Sequence, residues 1–105
     1  VVEPAESAVI SGNPPGTHRI EGGGVGFVPA LITDDSYDRI ELVSTDEAFE
    51  SARQLARVEG VWTGPSGGAS ILGALRLARD LGPGHTVVTA QPDSGLKYLS
   101  GDLYR

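Results

Sequence analysis

Residues 63–70, TGPSGGAS, lead directly into an apolar segment at residues 71–81, ILGALRLARDL. From Ala69 onward, apolar side chains would cover most of the circumference of a helix and leave only a narrow polar strip around Arg76. The pattern therefore predicts a helix that is buried on more than one side. We expect the covering chain to come from outside residues 1–105 or from a second copy of them.

Short strand patterns lie on both sides of this helix. They are VVEP at residues 1–4, DRIELVS at 38–44, VWT at 61–63 and TVVTAQP at 86–92. Between them, Ser44 and Glu47 have the spacing of a capping box, which predicts a further helix that ends at Gly60. Alternating strands and helices are typical of the α/β class with a parallel sheet. We predict that the chain forms part of a three-layer domain with a mainly parallel sheet.

Composition excludes several classes of function. The net charge of −6 over 105 residues repels nucleic acid and anionic membrane surfaces, so neither is an expected partner. Without cysteine, and with only two histidines, the chain predicts no metal site and no disulfide, and we expect it in the cytoplasm. It begins with Val1 and contains no methionine, which favours a piece of a longer protein.

Two glycine-rich stretches attract attention as candidate sites, residues 64–68 and residues 21–29. Glycine at the start of a helix lets a ligand approach unpaired amide groups, and phosphate is a common ligand there. However, the first stretch lacks the Lys-Ser/Thr ending of a P-loop, and neither stretch has the spacing of a dinucleotide turn. Close packing between strand and helix explains the glycines equally well.

Five blocks in order give a more specific indication. They are VEPAES, SGNPPGTHRIEGGGVGFVP, VSTDEAFESARQLARVEGV, GPSGGAS and QPDSGLKYLSGDLY. Their succession closely resembles the carboxy-terminal part of cysteine synthase, or O-acetylserine sulfhydrylase, in the cystathionine β-synthase-like group of pyridoxal-phosphate enzymes. The resemblance implies that residues 1–105 form the carboxy-terminal segment of the larger cofactor-binding domain of a fold type II enzyme, with no second domain.

The resemblance also implies roles for four residues in binding pyridoxal 5'-phosphate. Ser66 matches the serine whose hydroxyl meets the pyridine nitrogen of the cofactor. Gly22 matches a loop near the cofactor and substrate, while Pro92 and Asp93 match a segment that flanks the pyridine edge. No catalytic residue is expected within the chain, because its single lysine, Lys97, does not match the family's cofactor lysine.

Two departures from the family pattern accompany this match. The family usually has Ser-Ser-Gly or Ser-Thr-Gly where this chain places Gly67 second, and Gly23 replaces a usually bulkier residue. The change at Gly23 is expected to loosen a loop that helps the family close over its substrate.

For the intact enzyme, the resemblance implies replacement of the acetate of O-acetylserine by sulfide, which yields cysteine. The implied partners are the remainder of the enzyme chain, a second copy in a homodimer, the amino-acid substrate and serine acetyltransferase. A catalytically inert α/β module that acts through binding is the alternative. For Glu6, His18 and the pair Asp34–Asp35, exposed surface positions are favoured over catalytic roles.

Overall fold

Two short strands and two helices make up the regular structure of the computed structural model, which describes all of residues 1–105. Strand β1 covers Val2–Pro4 and strand β2 covers Glu41–Val43. Helix α1 covers Thr45–Glu59 and helix α2 covers Pro65–Leu81. Short 3-10 helices lie at Ala5–Ser7, Asp34–Ser36 and Gly95–Tyr98.

The two strands form one parallel pair. Val2 lies opposite Glu41 and Pro4 lies opposite Val43, and the amide of Glu41 donates to the carbonyl of Val1 at 2.9 Å. Val43 is completely buried, because α1 and α2 cover the sheet at this point. The predicted α/β class with a parallel sheet is confirmed.

The strands predicted at residues 61–63 and 86–92 are wrong, since neither segment forms a ladder. A strand needs a neighbouring backbone to satisfy its amide and carbonyl groups, and no part of this chain pairs with these segments in that way. The Trp62 carbonyl accepts the Gly95 amide at 3.0 Å, in a single bond outside any sheet. Val88 remains 88% exposed. An apolar, β-branched composition alone did not make these segments strands.

Helix α1 begins and ends where the sequence predicts. The Glu47 amide donates to the Ser44 hydroxyl at 3.3 Å, while the Ser44 amide donates to the Glu47 carboxylate at 2.9 Å. Gly60 ends the helix in the left-handed conformation, with φ of +68°. Ala48 and Ala52 on the inner face are completely buried against α2 and the core.

Helix α2 begins four residues earlier than Ala69, the expected first helical residue. Pro65 is suited to the first helical position, because its fixed φ fits a helix and its missing amide hydrogen would have had no partner there. The stretch taken for a glycine-rich turn is therefore largely the first turn of α2. Its glycines are buried and face α1 and the segment around Gln91.

Burial of α2 is uneven along its length. The amino-terminal half packs on α1 and on both strands, with Gly67, Gly68, Ala69 and Gly73 buried. Leu75, farther along, is 57% exposed. The predicted contact on more than one side is present near the start of the helix, and coverage of Leu75 by further chain stays a prediction. None of the helices is both long and apolar enough to cross a membrane.

The carboxy-terminal residues pack back onto α1. Leu103 is buried against Phe49 and Ala52, and the Arg53 guanidinium donates to the Leu103 carbonyl at 2.6 Å. The Tyr104 hydroxyl donates to the Thr63 carbonyl at 2.5 Å. These contacts connect the end of the chain to the residues that precede α2.

Candidate functional site

The four residues predicted to bind the cofactor, Gly22, Ser66, Pro92 and Asp93, line one cavity of about 480 Å³. Its walls are β1, the first turns of α2, the segment that follows Pro92 and the glycine loop, which we define as residues 21–26. A cavity of this volume is in the usual range for small-molecule sites. The structure thus brings together residues that are far apart in the sequence.

Ser66 is the second residue of α2 and is half-buried in the cavity wall. The neighbouring hydrogen bonds of Thr63, Gly64 and Gln91 do not use its hydroxyl. The first amides of a helix lack intrahelical partners and form the positive end of the helix dipole. An acceptor atom in the cavity could therefore meet a neutral hydroxyl donor at a positive helix end.

The Asp93 carboxylate is hydrogen-bonded on both of its oxygens. Oδ1 accepts from the Gly64 amide at 3.0 Å, and Oδ2 accepts from the Tyr98 hydroxyl at 2.6 Å. The Lys97 ammonium lies 3.6 Å from Oδ2, but its side chain is largely exposed. Burial, together with the adjacent Asp93 carboxylate, raises the pKa of Tyr98 above its usual value, so the phenol remains a donor at neutral pH.

The glycine loop is attached to the rest of the site through His18. Nδ1 of His18 accepts from the Ile20 amide at 3.2 Å, so Nε2 carries the proton and donates to the Gly24 carbonyl at 3.0 Å. Gly22 has φ of +87°, a conformation that side chains with a Cβ rarely adopt. The expectation of an exposed surface role for His18 is wrong, because its half-buried ring holds the loop.

The other acidic candidates lie outside the cavity. Asp34 and Asp35 are exposed, as expected. Glu6 is also exposed, and its carboxylate accepts the Thr45 amide at 2.7 Å. Burial raises the pKa of Glu6, but hydrogen bonds led by the Thr45 amide outweigh it and leave that pKa below its usual value.

Sequence reasoning missed five polar residues of the cavity wall, and three of them, Glu3, Lys97 and Tyr98, contact other polar groups of the chain. Glu3 is buried on β1, where its carboxylate accepts from the Ile10 amide at 2.6 Å and from the Ser11 hydroxyl at 2.9 Å. Lys97 and Tyr98 follow Asp93 in the short helix Gly95–Tyr98, which turns them back toward that carboxylate. The spacing of four and five residues from an aspartate was the only available signal.

Comparison with known proteins identifies the family of this chain. A family model described as "Pyridoxal-phosphate dependent enzyme" matches residues 1–93. A cysteine synthase of Staphylococcus aureus is 45% identical over 103 residues, which cover 98% of this chain and 33% of that protein. The chain thus spans about a third of the length of the curated relatives that it matches.

Solved structures agree with this match. O-acetyl serine sulfhydrylase isoform 3 of Entamoeba histolytica superposes with a TM-score of 0.93 at 43% identity, over 98% of this chain and 31% of that chain. The O-acetylserine dependent cystathionine beta-synthase of Helicobacter pylori gives a TM-score of 0.91 at 39% identity, over 99% and 34%. Since the family model covers nearly the whole chain and the fold agrees with these structures, the chain belongs to the family of pyridoxal-phosphate dependent enzymes.

Proposed function

We propose that residues 1–105 contribute the wall of a pyridoxal-phosphate site that meets the pyridine ring of the cofactor, in a cysteine synthase. The observation that carries this proposal is the cavity where Gly22, Ser66, Pro92 and Asp93 converge, with the Ser66 hydroxyl unused by the hydrogen bonds around it. Residues 1–105 would be the carboxy-terminal segment of the larger cofactor-binding domain.

The chemistry of the wall fits a pyridine ring. The Ser66 hydroxyl would donate a hydrogen bond to the ring nitrogen. The backbone of Gly22 would lie beside the ring, because glycine has no side chain to prevent this approach. Asp93 also contributes a carboxylate to this wall, but each of its oxygens already accepts a hydrogen bond from the chain. The ring nitrogen would thus meet the neutral Ser66 hydroxyl rather than the Asp93 carboxylate.

This arrangement has a consequence for proton location. A neutral hydroxyl does not stabilise a positive charge on the ring nitrogen as a free carboxylate would, so the hydroxyl would keep its proton and the ring nitrogen would stay unprotonated. When bound, pyridoxal phosphate supplies an electron sink for a carbanion at the α-carbon of an amino acid. By leaving the ring nitrogen unprotonated, Ser66 would weaken this electron sink and would favour loss of a leaving group from the β-carbon of the substrate.

The relatives, rather than the cavity, support the proposed substrate class. The relative from Entamoeba is named O-acetyl serine sulfhydrylase, and the one from Helicobacter is an O-acetylserine dependent cystathionine beta-synthase. We therefore assign O-acetylserine as the donor and sulfide as the acceptor for the intact protein. The cofactor lysine would lie outside residues 1–105, since the single lysine of the chain, Lys97, does not match the family's cofactor lysine. A cytoplasmic homodimer, and a complex with serine acetyltransferase, belong to the same proposal.

Substitution of Ser66 in the intact protein tests the proposal. Ser66→Ala removes one hydrogen bond of about 1 kcal/mol and should weaken retention of pyridoxal phosphate about fivefold. Ser66→Asp places a carboxylate at the same position and should shift the pH dependence of cofactor absorbance toward a protonated ring. Equilibrium dialysis measures retention, and absorbance titration measures the protonation.

Ser51→Ala is the matched control, because Ser51 lies on α1 outside the cavity and should leave both measurements unchanged. Unchanged retention and unchanged spectra in both Ser66 variants would reduce Ser66 to a residue that merely opens a helix. If the wild-type protein takes up no pyridoxal phosphate, the binding-module alternative replaces the enzyme.

A further inference from the structure

The start of α2 lacks the side chain that normally caps a helix. Its N-cap residue is Gly64, which has no polar side chain, and the first turn contains no acidic residue. Helices usually satisfy one of their free amides, and the positive end of their dipole, with such a side chain. The start of α2 is therefore open to an acceptor from a distant part of the chain.

Asp93, 29 residues later in the sequence, binds this helix start through the amide of the N-cap residue itself. Its Oδ1 accepts the Gly64 amide at 3.0 Å, and its charge lies at the positive end of α2. Two further bonds hold the two segments side by side: the Gly95 amide donates to the Trp62 carbonyl at 3.0 Å, and the Thr63 hydroxyl lies 3.4 Å from the Asp93 carbonyl. The contact between Asp93 and Gly64 is thus one of three hydrogen bonds that join residues 62–64 to residues 93–95.

Tyr98 fixes the orientation of the Asp93 side chain. Its hydroxyl donates to Oδ2 at 2.6 Å, a short distance that is typical of a hydrogen bond to a charged acceptor. A Cβ added at Gly64 would overlap the Tyr98 ring and press on the Asp93 carboxylate. Glycine at this N-cap is therefore what lets the aspartate and the tyrosine approach the helix.

We propose that Asp93 is a positioning residue, which acts on the cofactor through α2 by holding the first turn that carries Ser66 in place. This inference rests on the proposed function, because Ser66 is the group that the cofactor would meet. This role differs from the direct cofactor contacts proposed for Gly22 and Ser66, although Asp93 lies in the same cavity wall. Each Asp93 oxygen is bonded within the chain, so Asp93 influences the ring nitrogen through the placement of the Ser66 hydroxyl.

The first test measures amide hydrogen exchange across residues 61–70 of the intact protein without cofactor. Asp93→Asn keeps the size of the side chain but removes the charge, so exchange at Gly64 should rise on the order of tenfold. Asp80→Asn is the matched control: Asp80 lies at the other end of α2, where it pairs with Arg39 at 2.9 Å, and exchange at Gly64 should not change. Unchanged exchange at Gly64 in Asp93→Asn would overturn the proposal.

Tyr98→Phe keeps the test decisive if Asp93→Asn does not fold. It leaves the Asp93 charge and the Gly64 bond in place and removes only the group that orients the carboxylate. We expect a smaller rise in Gly64 exchange, about threefold. An unchanged rate in this variant would show that Tyr98 does not orient Asp93 and would contradict the mechanism.

A double-substitution cycle separates positioning from a merely structural role. Asp93→Asn alone should weaken retention of pyridoxal phosphate about as much as Ser66→Ala does, on the order of fivefold. In the Ser66→Ala background, Asp93→Asn should add less than about twofold, because the hydroxyl that it positions is gone. Full independent effects would mean that Asp93 contacts the cofactor directly or only stabilises the fold.

The exchange and retention measurements distinguish failure of the proposed function from failure of the positioning role. If the wild-type protein retains no pyridoxal phosphate, the proposed function is wrong and Asp93 has no cofactor to act upon. Gly64 exchange in the apo protein still reports whether Asp93 caps α2. A rise in exchange with independent losses of retention would keep the proposed function and overturn the positioning role.

Discussion

Two glycine-rich stretches border the cavity, and they need glycine for different physical reasons. In the first turn of α2, Gly67 and Gly68 have ordinary helical backbones, but a Cβ at either position would overlap a neighbouring residue. In the glycine loop, Gly22 has φ of +87° and no atom within 4 Å of an added Cβ. One stretch needs space, and the other needs backbone freedom.

The difference determines what a side chain would do to each wall of the cavity. In α2 the obstacle is another part of the fold, so an added methyl group must push two elements apart. In the loop the obstacle is the conformation of one residue, so the cost stays local. The same change, glycine to alanine, at Gly68, Gly67, Gly22 and Gly23 can therefore distinguish the two reasons.

Gly68→Ala should have the largest effect. The added Cβ would overlap the Ala48 carbonyl oxygen and lie 3.0 Å from the Ala52 Cβ, so α1 and α2 must separate where both alanines are completely buried. The better helix propensity of alanine stabilises the helix by about 1 kcal/mol. Overpacking against the backbone costs more than this, so we expect a net loss of about 2–3 kcal/mol in the free energy of unfolding. Urea denaturation followed by circular dichroism measures this loss.

A control on the same helix is Ala74→Gly, at a half-buried position that is farther along α2 than Gly68. This change should lower the free energy of unfolding by about 1 kcal/mol, which is the difference in helix propensity between alanine and glycine. A Gly68→Ala variant as stable as the wild type would mean that the two helices separate at little cost, and the distinction drawn above would fail.

Gly67→Ala should have the next largest effect, of about 1–2 kcal/mol. Here the added Cβ would overlap the hydroxyl of Thr63, a completely buried residue, and would crowd the Gln91 side chain. Both obstacles are side chains, which can adjust more easily than the backbone at Ala48. The family's usual serine or threonine at this position is thus incompatible with Thr63 as it is placed here.

Thr63→Ala should relieve this conflict. Thr63→Ala costs some stability by itself, but Gly67→Ala should then cost less, with a coupling of about 1 kcal/mol between the two positions. The coupling comes from four unfolding curves: wild type, each single variant and the double variant. Purely additive losses would show that Thr63 is not the obstacle.

Gly22→Ala should cost about 1–2 kcal/mol through the backbone alone, because the left-handed region penalises any Cβ. Gly12 is a matched control, with φ of +85°, no atom near an added Cβ and a position outside the cavity. Gly12→Ala should lose similar stability, but only Gly22→Ala should also weaken retention of pyridoxal phosphate. Equal retention in both variants would remove Gly22 from the proposed site.

The two glycine stretches also show how far the sequence could predict the structure. Capping at Ser44 and Gly60 involves residues close in sequence, so both ends of α1 were predicted correctly. The start of α2 was placed too late, because glycine is a poor helix former and its tolerance here depends on Ala48 and Thr63, which touch it only in the fold.

For the site, the family resemblance selected four residues that the structure places in one cavity, while the glycine-rich pattern alone had indicated only the stretches that contain Ser66 and Gly22. The role of His18 and the Asp93–Tyr98 contact depend on tertiary placement, and no periodic pattern encodes them. The same holds for the segments at residues 61–63 and 86–92, whose strand propensity found no partner within the chain.

Gly23→Ala should have the smallest effect and the opposite sign. Gly23 is not among the glycines with positive φ, and an added Cβ would lie 3.8 Å from Ile20 and Pro4, an ordinary contact distance. Alanine reduces the conformational freedom of the unfolded chain and should therefore stabilise the protein by about 0.5 kcal/mol, in contrast to the loss at the adjacent Gly22. Slower proteolysis of the glycine loop would accompany this gain, since the resemblance implies that a bulkier residue at this position keeps the loop ordered. A loss of stability at Gly23 as large as that at Gly22 would mean that the whole loop, rather than a single left-handed residue, requires glycine.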